Sequence, residues 1–275
     1  DVNNDMNISL DSIKENITSK TKAIIPVHFA GKMCDIKNIK KIAKTNNLFL
    51  IEDCAHAIGA KFENKHAGTF GDAGCFSFYP TKNITTIEGG MVICNSKNTA
   101  QGIQSFRNHG ITRTLKQRFS AGKPWDYDEI EPGYNFRLDE IRASLGISQL
   151  KKISKLNNMR RKACEYYTSK LKKIKGIESP EISKSTDNAF HLYIIKIKKD
   201  YGISRDKLFL KLLDSGIRTS VHYKPLHDFT IFKKMAKIKR GLNNSTTLYN
   251  EILSLPLYPT ITQQEQDYVI HNLKN

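Results

Sequence analysis

Acidic residues are scarce in this sequence, and so are the features that mark several special classes of protein. The chain has 27 Asp and Glu against 44 Lys and Arg, a formal net charge of +17, and Trp125 is its only tryptophan. No apolar run reaches the length needed to span a bilayer, so we predict no membrane partner. The first residues are polar and acidic, so we also expect no secretory signal.

The five cysteines are scattered along the chain, and no two of them form a Cys-x-x-Cys pair. Several lie inside apolar runs, where a small reduced thiol packs well. This pattern favours a reducing compartment, the cytoplasm, over a disulfide framework. The cysteines and the eight histidines show no spacing typical of metal ligands, so we predict no metal site.

The excess of positive charge raises the alternative of a nucleic-acid binder. However, the lysines are spread over the whole chain, with modest clusters only at Lys151-Lys152 and 170–175, and aromatic residues do not alternate with them. We therefore predict no nucleic-acid partner. A basic surface field would instead favour a small polyanionic ligand.

The first half of the chain alternates short apolar runs with helical patterns, which is typical of an α/β fold. Asp35 is placed to cap a helix in which Ile36 and Ile39 lie at helical spacing. Residues 60–69 are predicted to form a hairpin that turns at Gly68. The predicted strands are 23–28, 48–51, 74–78 and 91–94. This order predicts a mostly parallel sheet flanked by helices in a large domain.

A long helical pattern over about 138–171, with interruptions, separates this half from the rest of the chain. Beyond it we predict a strand at 190–197 and helices at 204–213 and 263–273, a smaller C-terminal α/β domain. The predicted organisation is a large domain at 1–137, a bridging helical segment at 138–175 and a small domain at 176–275.

Lys82 follows an apolar, strand-like run, and Asp53 ends an earlier predicted strand. Active-site groups in open α/β sheets gather at the carboxyl ends of strands, so the two side chains can share one pocket. An amine for a Schiff base and a carboxylate for a pyridine nitrogen are the minimum needed to hold pyridoxal phosphate (PLP). When each residue is considered alone, Lys82 is alternatively an ordinary surface lysine and Asp53 a helix-capping aspartate.

The residues around this pair resemble the DegT/DnrJ/EryC1/StrS family of sugar aminotransferases, which are fold-type-I PLP enzymes. The resemblance runs from about Thr21 to the C-terminus and is specific because its motifs are collinear. The motifs are Ile25-Pro26-Val27-His28-Phe29-Ala30-Gly31, Glu52-Asp53-Cys54-Ala55-His56-Ala57, Gly71-Asp72-Ala73-Gly74-Cys75-Phe76-Ser77-Phe78, Lys82-Asn83, Glu88-Gly89-Gly90, Arg107-Asn108-His109-Gly110, Gly133-Tyr134-Asn135-Phe136-Arg137-Leu138 and Ser220-Val221-His222-Tyr223.

The resemblance implies a role for each matching residue in the large domain. Lys82 forms the Schiff base and, once the amino donor has displaced it, carries a proton between substrate and cofactor. Asp53 keeps the pyridine nitrogen protonated. His56 stacks on the cofactor ring, and Ser77 donates to the phosphate. Asn135 binds the phosphate across a dimer interface, which implies a homodimer with shared active sites.

Some of these positions allow a second interpretation. His56 is alternatively a core histidine, and Asn135 an ordinary loop residue. His222 and Tyr223 resemble a small-domain segment near the substrate, but a structural role is nearly as compatible with their pattern. Arg137 is either an anion ligand or an ion-paired residue at a helix start.

The resemblance also implies the reaction, a ping-pong transfer of an amino group from an amino acid, glutamate by family, to a nucleotide-linked keto-deoxy sugar. Residues 80–90 are similar to members that aminate C4, although Ile87 stands where those members have Gly or Ala. Alternatives are amination at C3, a dehydratase with His in place of the lysine, and a non-catalytic binding paralogue. Lys82 argues against the dehydratase, and the presence of both Lys82 and Asp53 argues against the binding paralogue. The product would feed surface-glycan synthesis.

The chain does not begin with Met and opens in a pattern typical of a strand end and a turn. We therefore expect that a preceding segment is missing. In the family, that segment contains a small-residue turn whose N–H groups bind the cofactor phosphate at a helix N-terminus.

Overall fold

The structure is a computed structural model that describes residues 1–111, 113, 115–182, 187–236 and 241–274. Its helices are α1 (Leu10–Asn16), α2 (Ile36–Thr45), α3 (Lys97–Phe106), α4 (Leu115–Ser120), α5 (Glu140–Leu150), α6 (Ile153–Leu171), α7 (Arg205–Asp214), α8 (Thr230–Met235), α9 (Asn243–Glu251) and α10 (Gln263–Lys274). Its strands are β1 (Ala23–Ile24), β2 (Phe49–Asp53), β3 (Lys61–Phe62), β4 (Lys65–His66), β5 (Ala73–Ser77), β6 (Gly90–Cys94), β7 (Ile177–Glu178), β8 (Tyr193–Ile197) and β9 (Ile252–Leu255).

The larger sheet has the strand order β1-β2-β5-β6. β1 runs parallel to β2 and β2 parallel to β5, whereas β6 returns antiparallel to β5. The sheet is therefore mostly parallel, as predicted. β1 is much shorter than the predicted strand 23–28, because Pro26 has no N–H to continue the ladder. Beyond it, Val27 forms only an isolated bridge with Asp53.

The first helix that the sequence predicts is confirmed in detail. The Asp35 side chain accepts a hydrogen bond from the Asn38 backbone N–H, at 3.3 Å, and so caps α2. Ile36, Ile39 and Ala43 are buried on one face of the helix, in a core that also contains Leu50 of β2. This core fixes the helix against the sheet whose strand ends carry the candidate site.

The hairpin at 60–69 forms, but the prediction that it turns at Gly68 is wrong. β3 and β4 are joined at Glu63 and Asn64, which both have positive φ, +48° and +62°. Two consecutive residues of positive φ suit a tight hairpin turn, and Asn tolerates this conformation better than most residues. Gly68 instead packs against Gly74, where a Cβ atom would lie 2.3 Å from the Gly68 Cα.

A second core lies in the C-terminal part of the chain. β7, β8 and β9 form an antiparallel sheet whose central strand β8 is buried along its whole length. Tyr167 and Leu171 of α6 are fully buried in this core, together with residues of α7 and α10. The bridging helix thus belongs, at its C-terminal end, to the C-terminal core. The predicted domain boundaries stay a prediction.

The sequence analysis missed several elements of the C-terminal part, including α8, α9 and β9. β9 follows directly on α9 without a Gly or Pro between them, so no local signal marks where the helix ends and the strand begins. Over the residues that the structure describes, no helix combines the length and the apolar character that crossing a membrane requires.

Candidate active site

Lys82 and Asp53 face the same cavity, which has a volume of about 620 Å³. Asp53 is the last residue of β2, and Lys82 lies in the loop that follows β5. His56, His222 and Tyr223 line the same cavity. Five of the seven residues that the sequence analysis selected are therefore brought together. They come from the carboxyl ends of two parallel neighbouring strands and from a segment packed on the C-terminal sheet.

The Lys82 amine lies in an environment that disfavours its charge. Its backbone N–H donates to the Tyr79 carbonyl at 2.9 Å, which closes a turn directly after β5. Partial burial lowers the pKa of the amine from its usual value, although the nearby Asp53 carboxylate opposes this effect. A lysine must lose its proton to act as a nucleophile or a base, so this shift suits the predicted role.

Asp53 is held on both sides by backbone hydrogen bonds. Its N–H donates to the Pro26 carbonyl at 2.9 Å, and its carbonyl accepts from the His28 N–H at 3.1 Å. The carboxylate oxygen Oδ1 accepts from the Ala55 N–H at 3.0 Å. The side chain thus closes a local turn and also lines the cavity. It does not cap a helix, because in the described chain no helix follows β2 at this point.

His56 is buried, with 6% of its surface exposed. Its Nε2 lies 3.3 Å from the Tyr223 hydroxyl, and among the described residues its buried Nδ1 has no hydrogen-bond partner. Burial lowers its pKa to about 3, an effect that the charges of Lys82 and His222 increase. The imidazole is therefore neutral near pH 7, and its unpaired buried nitrogen is free to bond a group bound in the cavity.

Ser77 and Asn135 do not line this cavity in the described chain. The Ser77 hydroxyl lies at the end of β5 and accepts from the Tyr79 N–H at 3.4 Å. Asn135 is exposed, and its side-chain oxygen accepts from the Arg137 guanidinium at 2.9 Å. The predicted contact of Asn135 is with the cavity of a second subunit, which a single chain does not test. Arg137 makes its short contact with Asn135 two residues away.

The small-domain residues are held by the C-terminal sheet. His222 Nδ1 lies 2.8 Å from the Ser254 hydroxyl of β9, and its pKa is lowered by burial and by the charge of Lys82. Lys224 and His227 also line the cavity. Two histidines, a tyrosine and a lysine from this segment therefore line the cavity together with Lys82.

A buried group of His28, Glu52 and Cys54 has the composition of a metal centre, but its contacts are those of a hydrogen-bond network. The Glu52 carboxylate accepts from the N–H groups of Gly68, Phe70 and Gly71 at 2.7–2.8 Å. It also bonds His28 Nε2 at 3.0 Å. These four bonds use the carboxylate fully, so no oxygen remains to bind an ion. The sequence analysis missed this network.

The groups in the cavity fit PLP. A partly desolvated amine, a carboxylate and a buried imidazole with an unpaired nitrogen share one space, which suits an aromatic aldehyde with a basic ring nitrogen. Comparison with known proteins leads to the same group. The sequence matches the DegT/DnrJ/EryC1/StrS aminotransferase family over residues 1–274.

The chain belongs to the DegT/DnrJ/EryC1/StrS aminotransferase family. It is 41% identical over 270 residues to the uncharacterized protein MJ1066 of Methanocaldococcus jannaschii, covering 98% of this chain and 70% of that protein. It is 34% identical over 272 residues to the UDP-4-amino-4,6-dideoxy-N-acetyl-beta-L-altrosamine transaminase of Campylobacter jejuni 81-176, with coverage of 98% and 70%. It is 33% identical over 275 residues to the Bacillus subtilis spore coat polysaccharide biosynthesis protein SpsC, with coverage of 99% and 71%.

Solved structures confirm the predicted fold type. Helicobacter pylori PseC, an aminotransferase of pseudoaminic acid biosynthesis, superposes with a TM-score of 0.91 at 29% identity, over 99% of this chain and 71% of PseC. The E. coli GDP-4-keto-6-deoxy-D-mannose-3-dehydratase with bound hydrated PLP superposes with a TM-score of 0.87 at 29% identity, over 98% and 72%. Aminotransferases of this family depend on PLP, so the predictions of a PLP-dependent transferase and of its cofactor are confirmed.

Proposed function

We propose that this family member transfers an amino group from glutamate to C4 of a nucleotide-linked keto-deoxy sugar. The observation that carries the proposal is the position of the Lys82 amine, in one cavity with Asp53 and His56 and facing His222 and Tyr223. The relative from Campylobacter is named for a UDP-4-amino sugar, which supports C4. The family dehydratase alternative has no support at this position, because Lys82 stands where those members have His.

Each residue of the cavity has a proposed task. When bound, PLP supplies an electron sink for the charge that develops at the reacting carbon. Lys82 holds the cofactor covalently and then moves a proton at its freed amine. Asp53 pairs with the ring nitrogen, and His56 packs on the ring. His222 and Tyr223 bind and orient the sugar substrate from the opposite wall.

We propose a homodimer in which Asn135 of each subunit reaches the cofactor phosphate in the other, while Ser77 donates to the phosphate in its own. The supporting observation is an exposed aromatic cluster on both sides of Asn135. The rings of Tyr134 and Phe136 stack at 4.8 Å, and Phe106 packs on Tyr134 at 5.0 Å. Tyr134 and Phe136 remain 54% and 64% exposed, which is typical of a surface that another protein covers.

The proposed place of action is the cytoplasm, in the synthesis of amino sugars for surface glycans. All five cysteines are free thiols, which suits a reducing compartment. The relative from Bacillus subtilis is named for spore coat polysaccharide biosynthesis. This name supports a polysaccharide product without identifying the sugar or the nucleotide of the present protein.

The proposal is tested by incubating the PLP-loaded protein with glutamate and a panel of nucleotide 4-keto and 3-keto sugars. We expect 2-oxoglutarate to be released beyond one equivalent per active site only with a 4-keto sugar, because the first equivalent comes from glutamate and PLP alone. Release with a 3-keto sugar alone would move the reaction to C3. Removal of the C3 hydroxyl, with one 2-oxoglutarate and one ammonia released per sugar and no amino sugar formed, would instead show a dehydratase. No turnover with any sugar would support a binding paralogue.

The matched variants are Lys82→Ala and Lys82→Arg. We expect both to abolish turnover, because arginine keeps a charge but remains protonated and cannot attack or abstract a proton. Both should also lose the visible absorbance of lysine-bound PLP. If either variant kept that absorbance, the assignment of Lys82 would be wrong.

A further inference from the structure

Asn83, the residue next to Lys82, is the centre of a buried hydrogen-bond network that lies outside the cavity. Its side chain is 5% exposed. The amide nitrogen donates to the Asn157 side-chain oxygen at 2.8 Å and to the Ala189 carbonyl at 2.6 Å. The amide oxygen lies 2.9 Å from His191 Nδ1. Three of the four hydrogen bonds that an asparagine side chain can make are therefore formed.

The chemistry of the partners fixes every donor and acceptor in this network. The Ala189 carbonyl can only accept, so the Asn83 atom that contacts it is the NH2 group, and its oxygen faces His191. His191 Nδ1 must then carry the proton. Asn157 is fixed in the same way, because its nitrogen donates to the Ile58 carbonyl at 3.0 Å. The network thus has one arrangement.

The network connects three parts of the protein. Asn83 belongs to the loop of Lys82, Asn157 to α6, and Ala189 and His191 to the segment that leads into β8. His191 is 5% exposed, and Arg160 of α6 donates to its carbonyl at 3.2 Å. The His191 ring lies 4.3 Å from the ring of His56, which lines the cavity.

We propose that Asn83 is a positioning residue, which sets the place of the Lys82 amine by tying its loop to α6 and, through His191, to His56. A lysine side chain is a flexible four-carbon stem, so the place of its amine depends on how firmly its backbone is held. Rates are sensitive to such placement, since a shift of about 1 Å at a reacting group can cost about a hundredfold. This inference rests on the proposed function.

The positions of these contacts distinguish a positioning role for Asn83 from simple stabilisation of the fold. Both ends of the network, Lys82 and His56, line the cavity, whereas Asn83 and His191 do not. Burial lowers the pKa of His191 to about 2, helped by the charges of His56, Lys82, Arg160 and His222. A neutral His191 leaves the Asn83 bond unchanged across the working pH range.

The test compares Asn83→Ala with Gln266→Ala, a control that also loses a buried side-chain amide bonded to a carbonyl of α6. We expect Asn83→Ala to lower kcat at least about tenfold, with KM for glutamate changed less than about twofold. Gln266→Ala should lower the melting temperature by a similar amount and leave kcat unchanged. Equal kcat values for both variants, measured well below their melting temperatures, would overturn the proposal.

A second pair of variants keeps the test independent of how well Asn83→Ala folds. His191→Asn retains an N–H donor near the position of Nδ1, whereas His191→Leu removes it. We expect His191→Asn to keep kcat within about threefold and His191→Leu to match Asn83→Ala, with no further loss in the double variant. Additive losses in the double variant would contradict a shared path.

A third measurement does not require the enzyme to work. The cofactor-free protein is acetylated with a limiting amount of reagent, and the labelling of Lys82 is compared with that of the exposed Lys37 by mass spectrometry. We expect Asn83→Ala to change this ratio at least about threefold, because the amine is held differently. An unchanged ratio contradicts the positioning role, whereas a changed ratio in a protein without transaminase activity contradicts only the proposed reaction.

Discussion

Ile87 has a backbone conformation that β-branched residues rarely adopt. Its φ is +70°, in the left-handed region, and its side chain is 57% exposed. This conformation costs a non-glycine residue about 1–2 kcal/mol, and glycine avoids that cost at the expense of about 0.5–1 kcal/mol of chain entropy. We expect Ile87→Gly to raise the free energy of unfolding by about 0.5–1 kcal/mol in urea titrations.

The control for this prediction is Ile203→Gly, at an exposed position where φ is not positive. This variant gains nothing from glycine and should be destabilised. If both variants lost stability equally, residue 87 would not carry the strain that its backbone angle indicates.

At the scale of single residues, the sequence analysis found the groups that line the cavity and missed those that hold them. Lys82 and Asp53 follow strands of recognisable pattern, so their meeting at one sheet edge could be predicted. The bond between Asn83 and His191 joins residues 108 positions apart. Nothing near either residue in the sequence predicts such a pair, because side-chain networks depend on tertiary packing.

At the scale of elements, one carboxylate attaches the turn at 68–71 to β2. Glu52 is fully buried, yet its pKa is lowered: burial alone would raise it, but the bonds from His28 and from the Gly71 and Gly68 N–H groups outweigh burial. Glu52→Gln would place an NH2 group against these donors. We expect a loss of about 3 kcal/mol in the free energy of unfolding, measured with urea.

Glu63→Gln is the matched control, because within the described part of the chain the Glu63 side chain makes only an exposed ion pair with Lys37 at 2.9 Å. Exposed pairs contribute less than about 1 kcal/mol. A loss at Glu52 as small as that at Glu63 would show that the turn is held by packing alone.

Local signals decided which elements could be predicted. α2 begins at a capping aspartate and carries apolar residues at helical spacing, so its start and its buried face were both predicted. The hairpin turn was placed at the wrong residue, because Gly68 serves a close backbone contact and Glu63-Asn64 make the turn. β9 was missed because α9 runs into it without a break.

At the scale of the whole molecule, the buried histidines should make the protein sensitive to acid. His56 and His191 have pKa values of about 3 and 2 in the folded state against 6.5 in the unfolded chain. Below about pH 6.5 the unfolded state therefore binds protons that the folded state does not, and stability falls with pH at up to about 1.4 kcal/mol per unit for each histidine. Above pH 6.5 the histidines are neutral in both states, so the stability that they contribute is fully present.

Urea titrations between pH 7 and pH 4.5 measure this dependence. We expect the free energy of unfolding of His191→Asn to fall less steeply with decreasing pH than that of the unchanged protein. The difference in slope should be the contribution of one histidine, up to about 1.4 kcal/mol per pH unit. Parallel curves for the two proteins would mean that His191 can take up a proton without unfolding.

The proposed exchange of Asn135 between subunits predicts complementation. Lys82→Ala and Asn135→Ala should each be inactive, but a mixed dimer contains one site with an intact Lys82 from one subunit and an intact Asn135 from the other. After unfolding and refolding a one-to-one mixture, we expect about a quarter of the original activity, since half the dimers are mixed and each has one intact site. An inactive mixture would place Asn135 in its own subunit's site or outside the mechanism.

α6 has one end in the C-terminal core, through Tyr167 and Leu171, and near its other end Asn157 bonds Asn83. Substitutions that repack this core to raise the melting temperature would tilt or shift α6 by small amounts. Such changes would be felt beside the reactive lysine, at the other end of α6 from the altered residues. Variant libraries aimed at the core should therefore be ranked by turnover as well as by melting temperature.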